Sequence, residues 1–278
     1  MMRMMPDGAR IACRRQGDGP GTVLVHGGFL DSRSWTGLME VLARTRTVVA
    51  ADRRGHGDSD PYTSSYRLPD DVGDLVAIVT DLAAEAGEVE LVAVSAGCHV
   101  ALAAAVARAP AARVVLWEPP DFQATPVSAD LYDRLDRAAA SGDRKLLVRL
   151  LLNEVVGVNT GSRVPRLVFP LLFRSPFGRM VLANALSIPT GLRAFEACDW
   201  NAQDLSTLDM PVTFLIGSKS PPFNRRFADS VASRMPHATI EVIDGGSHGT
   251  PMEQPDRFAQ LLDQLRTRRT QPDGAGPA

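Results

Sequence analysis

Six short apolar runs decide what this chain can fold into: Thr22 to Val25, Thr47 to Ala51, Val89 to Val94, Arg113 to Trp117, Val212 to Ile216 and Thr239 to Ile243. Each is rich in β-branched residues, stops at a glycine or turn and gives way to a helical pattern. Their apolar character is continuous rather than alternating, which suits parallel strands covered on both faces. Amphipathic stretches lie between them. In Val72, Leu75, Val76, Val79, Leu82 and Ala83 the apolar side chains recur at i, i+3, i+4 and i+7, one face of a helix. Asp70 and Asp71, after Pro69, give that helix a capped start. Ala101 to Ala109 and Phe258 to Leu265 read as two more helices. Strand and helix alternating in this way predict a doubly wound, mostly parallel α/β sheet with right-handed crossovers.

The rhythm breaks once. From Asp121 to Leu208 the pattern is helical without strands, punctuated by Pro126, Pro165, Pro170, Pro176 and Pro189, and the sheet resumes at Met210-Pro211-Val212. Residues 121–208 are therefore expected to form a helical cap over the carboxyl edge of the sheet, where open α/β sheets bind ligands. Residues 1–120 and 209–269 then make the core. Leu167, Val168, Phe169, Leu171, Leu172, Phe173 and Phe177 are the apolar candidates for a pocket lining beneath the cap, with packing of the cap on the core the expected role of most of them. Residues 270–278, rich in Pro and Gly with no apolar anchor, are expected to be a frayed tail.

Composition removes several function classes. Over 278 residues, 30 Lys+Arg face 32 Asp+Glu, so the net charge of -2 lacks the positive field that phosphate backbones require. All the basic residues but Lys145 and Lys219 are arginines, which leaves little room for a lysine nucleophile. Cys13, Cys98 and Cys198 are far apart, with no CxxC pair, and suggest neither a zinc site nor a disulfide framework. No run of about 18 apolar residues marks a membrane span, and the first residues lack the apolar stretch of a signal peptide. The expectation is a cytoplasmic protein acting on a small molecule, with no nucleic acid, membrane, metal or cofactor involved.

Four segments carry chemistry. In Leu91-Val92-Ala93-Val94-Ser95-Ala96-Gly97-Cys98-His99 an apolar strand runs into Ser95 and then into an Ala-rich helix. A turn that tight strains its apex residue, presents its side chain at the sheet edge and needs small neighbours two before and two after, here Ala93 and Gly97. Asp244-Gly245-Gly246-Ser247-His248-Gly249 puts a histidine, able to take and return a proton near neutral pH, in a Gly-rich turn on the same edge. Leu24-Val25-His26-Gly27-Gly28-Phe29 leaves backbone N–H groups exposed after a strand, and with the Ala96 N–H it can form a two-donor oxyanion site. Asp52-Arg53-Arg54-Gly55-His56-Gly57-Asp58-Ser59 reads as a structural turn held by Asp and Arg side chains, with His56 part of the scaffold. Cys98 and His99 follow the elbow and read equally as part of the site or as helix filler.

Together, in this order and spacing, these four segments resemble the α/β-hydrolase superfamily from about Val23 to Leu265, and Glu253-Gln254-Pro255 resembles the start of its last helix. The resemblance implies Ser95 as nucleophile, His248 as general base and acid, and Gly28 and Ala96 as oxyanion donors. It also implies a small antiparallel edge before Thr22 with a hairpin turn at Asp7-Gly8, so the cap would follow the sixth strand. Members with dehalogenase or epoxide hydrolase activity use an Asp nucleophile, so Ser95 disfavours both.

One position departs from the pattern. The family usually supplies the triad acid as an Asp in a G-x-x-D turn after the cap, and here that turn reads Gly217-Ser218-Lys219-Ser220, with serine in the acid's place. A neutral serine cannot offset an imidazolium charge. Glu118, in Leu116-Trp117-Glu118-Pro119-Pro120 at the end of the next strand, is the substitute the sequence offers first, with Asp121 and Asp204 behind it. Certain haloalkane dehalogenases are similar in carrying their acid there. The implied function is a serine hydrolase acting on an ester, lactone, thioester or activated C–C bond of a small apolar molecule. The rivals are a lyase, cyclase or decarboxylase using the same pocket, and a ligand-binding protein with a decayed triad.

Overall fold

The six strands predicted from continuous apolar runs, with two more at an antiparallel edge, pair into one eight-stranded sheet, ordered β1-β2-β4-β3-β5-β6-β7-β8. In this computed structural model, which describes residues 1–124, 126–156, 164–165 and 167–268, they are β1 (Met2–Met4), β2 (Arg10–Gln16), β3 (Gly21–Val25), β4 (Thr47–Ala51), β5 (Val89–Val94), β6 (Arg113–Trp117), β7 (Val212–Gly217) and β8 (Ala238–Ile243). The expected tail at 270–278 lies outside the described residues. β3, β5, β6 and β7 are buried at every position, the physical reason their sequences do not alternate. From β4 to β8 the pairings are parallel, and β1 and β2 form the antiparallel edge. The Asp7-Gly8 turn closes that edge: Met5 N donates to Ala9 O and Gly8 takes φ 87.

Alternate side chains of each inner strand point to opposite layers. Val23, Leu91, Val114 and Phe214 pack under α2 (Leu68–Ala86), α3 (Gly97–Val106) and the helix Pro222–Ala232. Leu24, Val92, Val115 and Leu215 pack under α1 (Thr36–Leu42) and the helix Pro255–Arg268, with Trp35, Met39 and Phe258 as the largest contributors. Register aligns Val25 with Ala51 and Ala93, and Trp117 with Val94 and Leu215. The loops that begin at His26, Asp52, Ser95 and Glu118 therefore leave one common edge. β3 lies between β4 and β5, so the winding direction reverses there, which is where such sheets open a crevice.

Two helices start earlier than their periodicity predicts. α2 begins at Leu68, with Pro69 in its first turn, where a missing N–H costs nothing. Asp70 reaches back to the Arg67 N–H at 2.7 Å, while Asp71 turns inward to Arg53 and the Tyr66 hydroxyl. α3 begins at Gly97, so Cys98, His99 and Val100, all buried, belong to the helix and not to the turn.

Between β6 and β7 the described residues form helices and no strand. α4 (Ala129–Ala140), α5 (Arg144–Leu150), a wide-turned continuation Leu151–Val156, and the helices Phe169–Arg174, Pro176–Ala183 and Ile188–Glu196 build this stretch. These helices have their own apolar cluster, including Leu135, Leu147, Val148, Phe169, Val181 and Ile188, which meets Leu30 of the core. Among the described residues no helix is long and apolar enough to cross a membrane.

Candidate active site

Ser95 occupies the turn between β5 and α3 in left-handed backbone, φ 54, a conformation costing a non-glycine residue about 1–3 kcal/mol. Close packing holds it there. A Cβ on Gly97 would stand 2.4 Å from His26 O and 2.7 Å from Val25 O, so only glycine fits two residues after the serine. Ala93, two residues before it, is fully buried. On the other side Gly27 offers a bare backbone: a Cβ there would approach Ser95 Cβ to 3.1 Å. Gly28 lies beside Ala96, a Cβ on it coming within 3.9 Å of the alanine's. Neither the Gly28 nor the Ala96 N–H donates to a protein acceptor among the described residues, and both residues line the same cavity as Ser95 and His248.

Glu118 is fully buried and also left-handed, φ 52, directly after β6. One carboxylate oxygen, Oε1, accepts from the Gly217 N–H at 2.9 Å and from the Ser220 hydroxyl. The other, Oε2, accepts from Asn224 Nδ2 at 3.0 Å and lies 2.7 Å from His248 Nδ1. Four donors and no acceptor surround it, the environment that an ionised carboxylate satisfies. An accepting Oε2 places the hydrogen of His248 on Nδ1 and leaves Nε2 as an acceptor. Asp121 and Asp204 are engaged elsewhere. Asp121 accepts from the Gln123 and Ala124 N–H groups in its own turn, and Asp204 caps a short helix through Ser206.

These residues open on a cavity of about 530 Å³. Its walls are mostly apolar, but not as the sequence suggests. Leu151, Leu152, Val155, Val156, Ile188 and Leu192 from the helical insertion, with Phe122, Phe223 and Met252, supply them. Of the expected set only Phe177 reaches the cavity. Phe169 and Phe173 fill the insertion's own cluster, while Leu167 and Leu171 point to solvent, 92% and 74% exposed. Amphipathic periodicity identifies an apolar helix face but not which of two apolar spaces that face meets.

The Asp52 to Ser59 turn is a scaffold, as expected. Asp52 accepts from the Ser32 N–H at 2.7 Å and the Asp58 N–H at 2.9 Å. The insertion docks on this turn through a residue that pattern reading missed. Asn184 accepts from the Gly57 N–H at 2.8 Å and donates to Asp31 Oδ2 at 2.9 Å. Burial works against the Asp31 charge, yet Arg33 and Asn184 hold its carboxyl below the usual range. His26 and His56 are wholly buried. Desolvation first, and the nearby Arg53 charge second, push both imidazoles well below their ordinary range. His99 has polar partners beyond its helix: it accepts from Trp200 Nε1 at 2.9 Å and stands 2.8 Å from Pro120 O, and burial lowers its pKa to about 4. It thereby braces the segment that follows Glu118. Of the five histidines, His248 alone is hydrogen-bonded to a carboxylate among the described residues.

The fold as a whole has counterparts in known proteins. A family model described as the alpha/beta hydrolase family matches residues 22–261. The chain belongs to the alpha/beta hydrolase family. Its fold is similar to that of an alpha/beta hydrolase from Sphaerobacter thermophilus, with TM-score 0.80 and 28% identity over 96% of this chain and 100% of that one. By sequence it is 27% identical to a pimeloyl-[acyl-carrier protein] methyl ester esterase of Xanthomonas campestris, over 88% of this chain and 94% of that protein. It is 26% identical to a putative 2-succinyl-6-hydroxy-2,4-cyclohexadiene-1-carboxylate synthase of Bacillus subtilis, over 94% and 96% respectively. One relative is named for ester hydrolysis and the other for a synthase, so identity alone does not choose between those chemistries.

Proposed function

We propose that this alpha/beta hydrolase family member is a serine hydrolase that cleaves an ester-like bond of a small, largely apolar molecule through an acyl-enzyme, with residues 121–208 as its cap. The observation that carries the reading is the fully buried Glu118 carboxylate 2.7 Å from His248 Nδ1. It orients the imidazole and supplies the counter-charge that serine at position 220 cannot. In the proposed reaction His248 Nε2 takes the Ser95 hydroxyl proton as Oγ adds to the substrate carbonyl carbon. The developing oxyanion accepts from the Gly28 and Ala96 N–H groups. Collapse breaks the bond to the leaving group, which departs with the proton held on His248. Water then gives a proton to His248 as its oxygen attacks the acyl carbon, and collapse breaks the bond to Ser95 Oγ, which takes that proton back from His248 as the acid is released.

The binding-protein alternative arose from the serine at position 220. With Glu118 facing His248 and Ser220 bonded to Glu118, that serine is no sign of decay. The synthase relative keeps a second reading, in which His248 moves protons for a lyase, cyclase or decarboxylase reaction while Ser95 only orients the substrate. A fluorophosphonate probe and p-nitrophenyl esters separate the readings. Stoichiometric labelling at Ser95 with ester turnover, both lost in Ser95→Ala, is the expected result. A folded protein that neither reacts with the probe nor hydrolyses the esters sinks the hydrolase proposal. Product analysis then distinguishes hydrolysis from elimination or ring closure.

A further inference from the structure

The turn after β7 faces the catalytic carboxylate without contributing one of its own. Ser220 and Asn224 approach Glu118 from two sides: the serine hydroxyl donates to Oε1 and the asparagine amide to Oε2. Both are set in place by local backbone. Ser220 N donates to Gly217 O at 3.0 Å, closing the turn, and Asn224 lies in the first turn of the helix Pro222–Ala232, only 2% exposed. Gly217 leaves the room, since a Cβ there would come within 2.8 Å of Glu118 Oε1. At zero exposure Glu118 has no water to replace a lost donor.

We propose that Ser220 and Asn224 are positioning residues that clasp the Glu118 carboxylate from both sides and hold it on His248 Nδ1. The inference rests on the reading of Glu118 as partner of the general base. A glutamate has three side-chain torsions, one more than an aspartate, and His248 is half exposed at the sheet's edge, so neither side chain is fixed by packing alone. With the Gly217 N–H, the clasp fills every direction of the carboxylate but the one facing His248. Other ionisable groups are near. Cys98 lies beneath Glu118, Lys219 and Asp121 stand on the cavity wall, and Glu253 folds back on Gly249. Among the described residues none of them hydrogen-bonds to Glu118 or His248. The serine at the family's usual acid position is therefore a partner required by an acid that arrives from β6.

The test is an NMR titration of the His248 Cε1–H resonance, assigned with His248→Asn, beside the pH profile of kcat/KM for p-nitrophenyl butyrate. Ser220→Ala and Asn224→Ala each weaken the hold on the counter-charge. Each should lower the histidine midpoint by about one pH unit, a tenfold change in the protonation equilibrium, and lower kcat with KM little changed. Ser220→Thr, which keeps the hydroxyl, restores both. Ser220→Asp adds a second negative charge and moves the midpoint upward. Position 220 is partly exposed, so Ser220→Ala can be read even if Asn224→Ala fails to fold. Folded Ser220→Ala protein with a wild-type midpoint overturns the clasp, whatever its stability. The titration needs no turnover, so a wild type unreactive to fluorophosphonate would overturn the hydrolase reading without touching this result.

Discussion

Glu118→Gln is the substitution whose consequence follows most directly from the geometry. The carboxylate has four donors around it: the Gly217 N–H and Ser220 hydroxyl at Oε1, and Asn224 Nδ2 and His248 Nδ1 at Oε2. A glutamine has the same shape but one of its two ends is itself a donor. If that end faces His248, Nδ1 must become the acceptor, the hydrogen moves to Nε2, and the histidine can no longer take a proton from Ser95. If it faces Gly217, the Ser220 hydroxyl can rotate to accept but the Gly217 N–H is left unpaired in a buried site. That costs about 1–3 kcal/mol of stability. In both orientations the charge opposite the imidazolium is gone. The expected loss in kcat is about 10⁴-fold, the size seen when an Asp that orients a catalytic histidine becomes its amide. The assay is steady-state hydrolysis of p-nitrophenyl butyrate with the fluorophosphonate labelling rate as a second measure, on protein whose fold is checked by circular dichroism. Folded Glu118→Gln enzyme retaining more than about a tenth of wild-type kcat/KM would refute the assignment.

Three further outcomes follow from other parts of the structure. Gly97→Ala forces a Cβ to 2.4 Å from His26 O, backbone against backbone, and should lower unfolding stability by at least about 1–3 kcal/mol in urea titration along with Ser95 labelling. Leu152→Trp narrows the cavity wall and should raise the preference for p-nitrophenyl acetate over the decanoate about tenfold in kcat/KM. Burial holds His99 at about 4, below the ordinary 6.5 of an unfolded histidine. The unfolded chain therefore binds a proton that the folded one refuses, so this stability is whole above about pH 6.5 and lost as pH falls towards 4. His99 alone is worth about 3 kcal/mol over that window. A urea midpoint that stays flat from pH 7 to pH 4.5 would contradict it.

How much of this was legible in the sequence depended on the range of each signal. Strand, tight turn and helix are local patterns, and Ser95, His248, Gly28 and Ala96 could be named because each lies at such a junction. Glu118 could be named because Trp117 ends a buried strand and Pro119-Pro120 stops it there. The clasp could not: Ser220 and Asn224 meet Glu118 across 102 and 106 residues, and polar side chains on a turn look like ordinary surface. Asn184 is equally silent, meeting Gly57 across 127 residues. Which apolar stretch lines the cavity is hidden from the sequence for a related reason. Leu167 to Phe177 is a conspicuous apolar stretch, yet its buried side chains face the insertion's own cluster, whereas Leu151–Val156, at the end of α5, faces the cavity.

Two of the strained residues at the site, Ser95 and Glu118, share a structural cause. Ser95 donates its N–H to Trp117 O at 2.9 Å, and Glu118 donates its N–H to Leu215 O at 3.0 Å. Each parallel ladder thus runs one residue past the end of its strand, β5 onto β6 and β6 onto β7, before the backbone turns left-handed. The strain at both positions is borne by the most buried part of the sheet and not by mobile loops. His248 has no such anchor. It follows β8, the edge strand, whose residues are half-buried or exposed, and its ring is 53% exposed. The precision of Ser95 and Glu118 comes from the core, and His248 gains its own by bonding to Glu118. Under the proposed mechanism Glu118 therefore positions His248 as well as balancing its charge, and its own place is set by the extension of β6 onto β7.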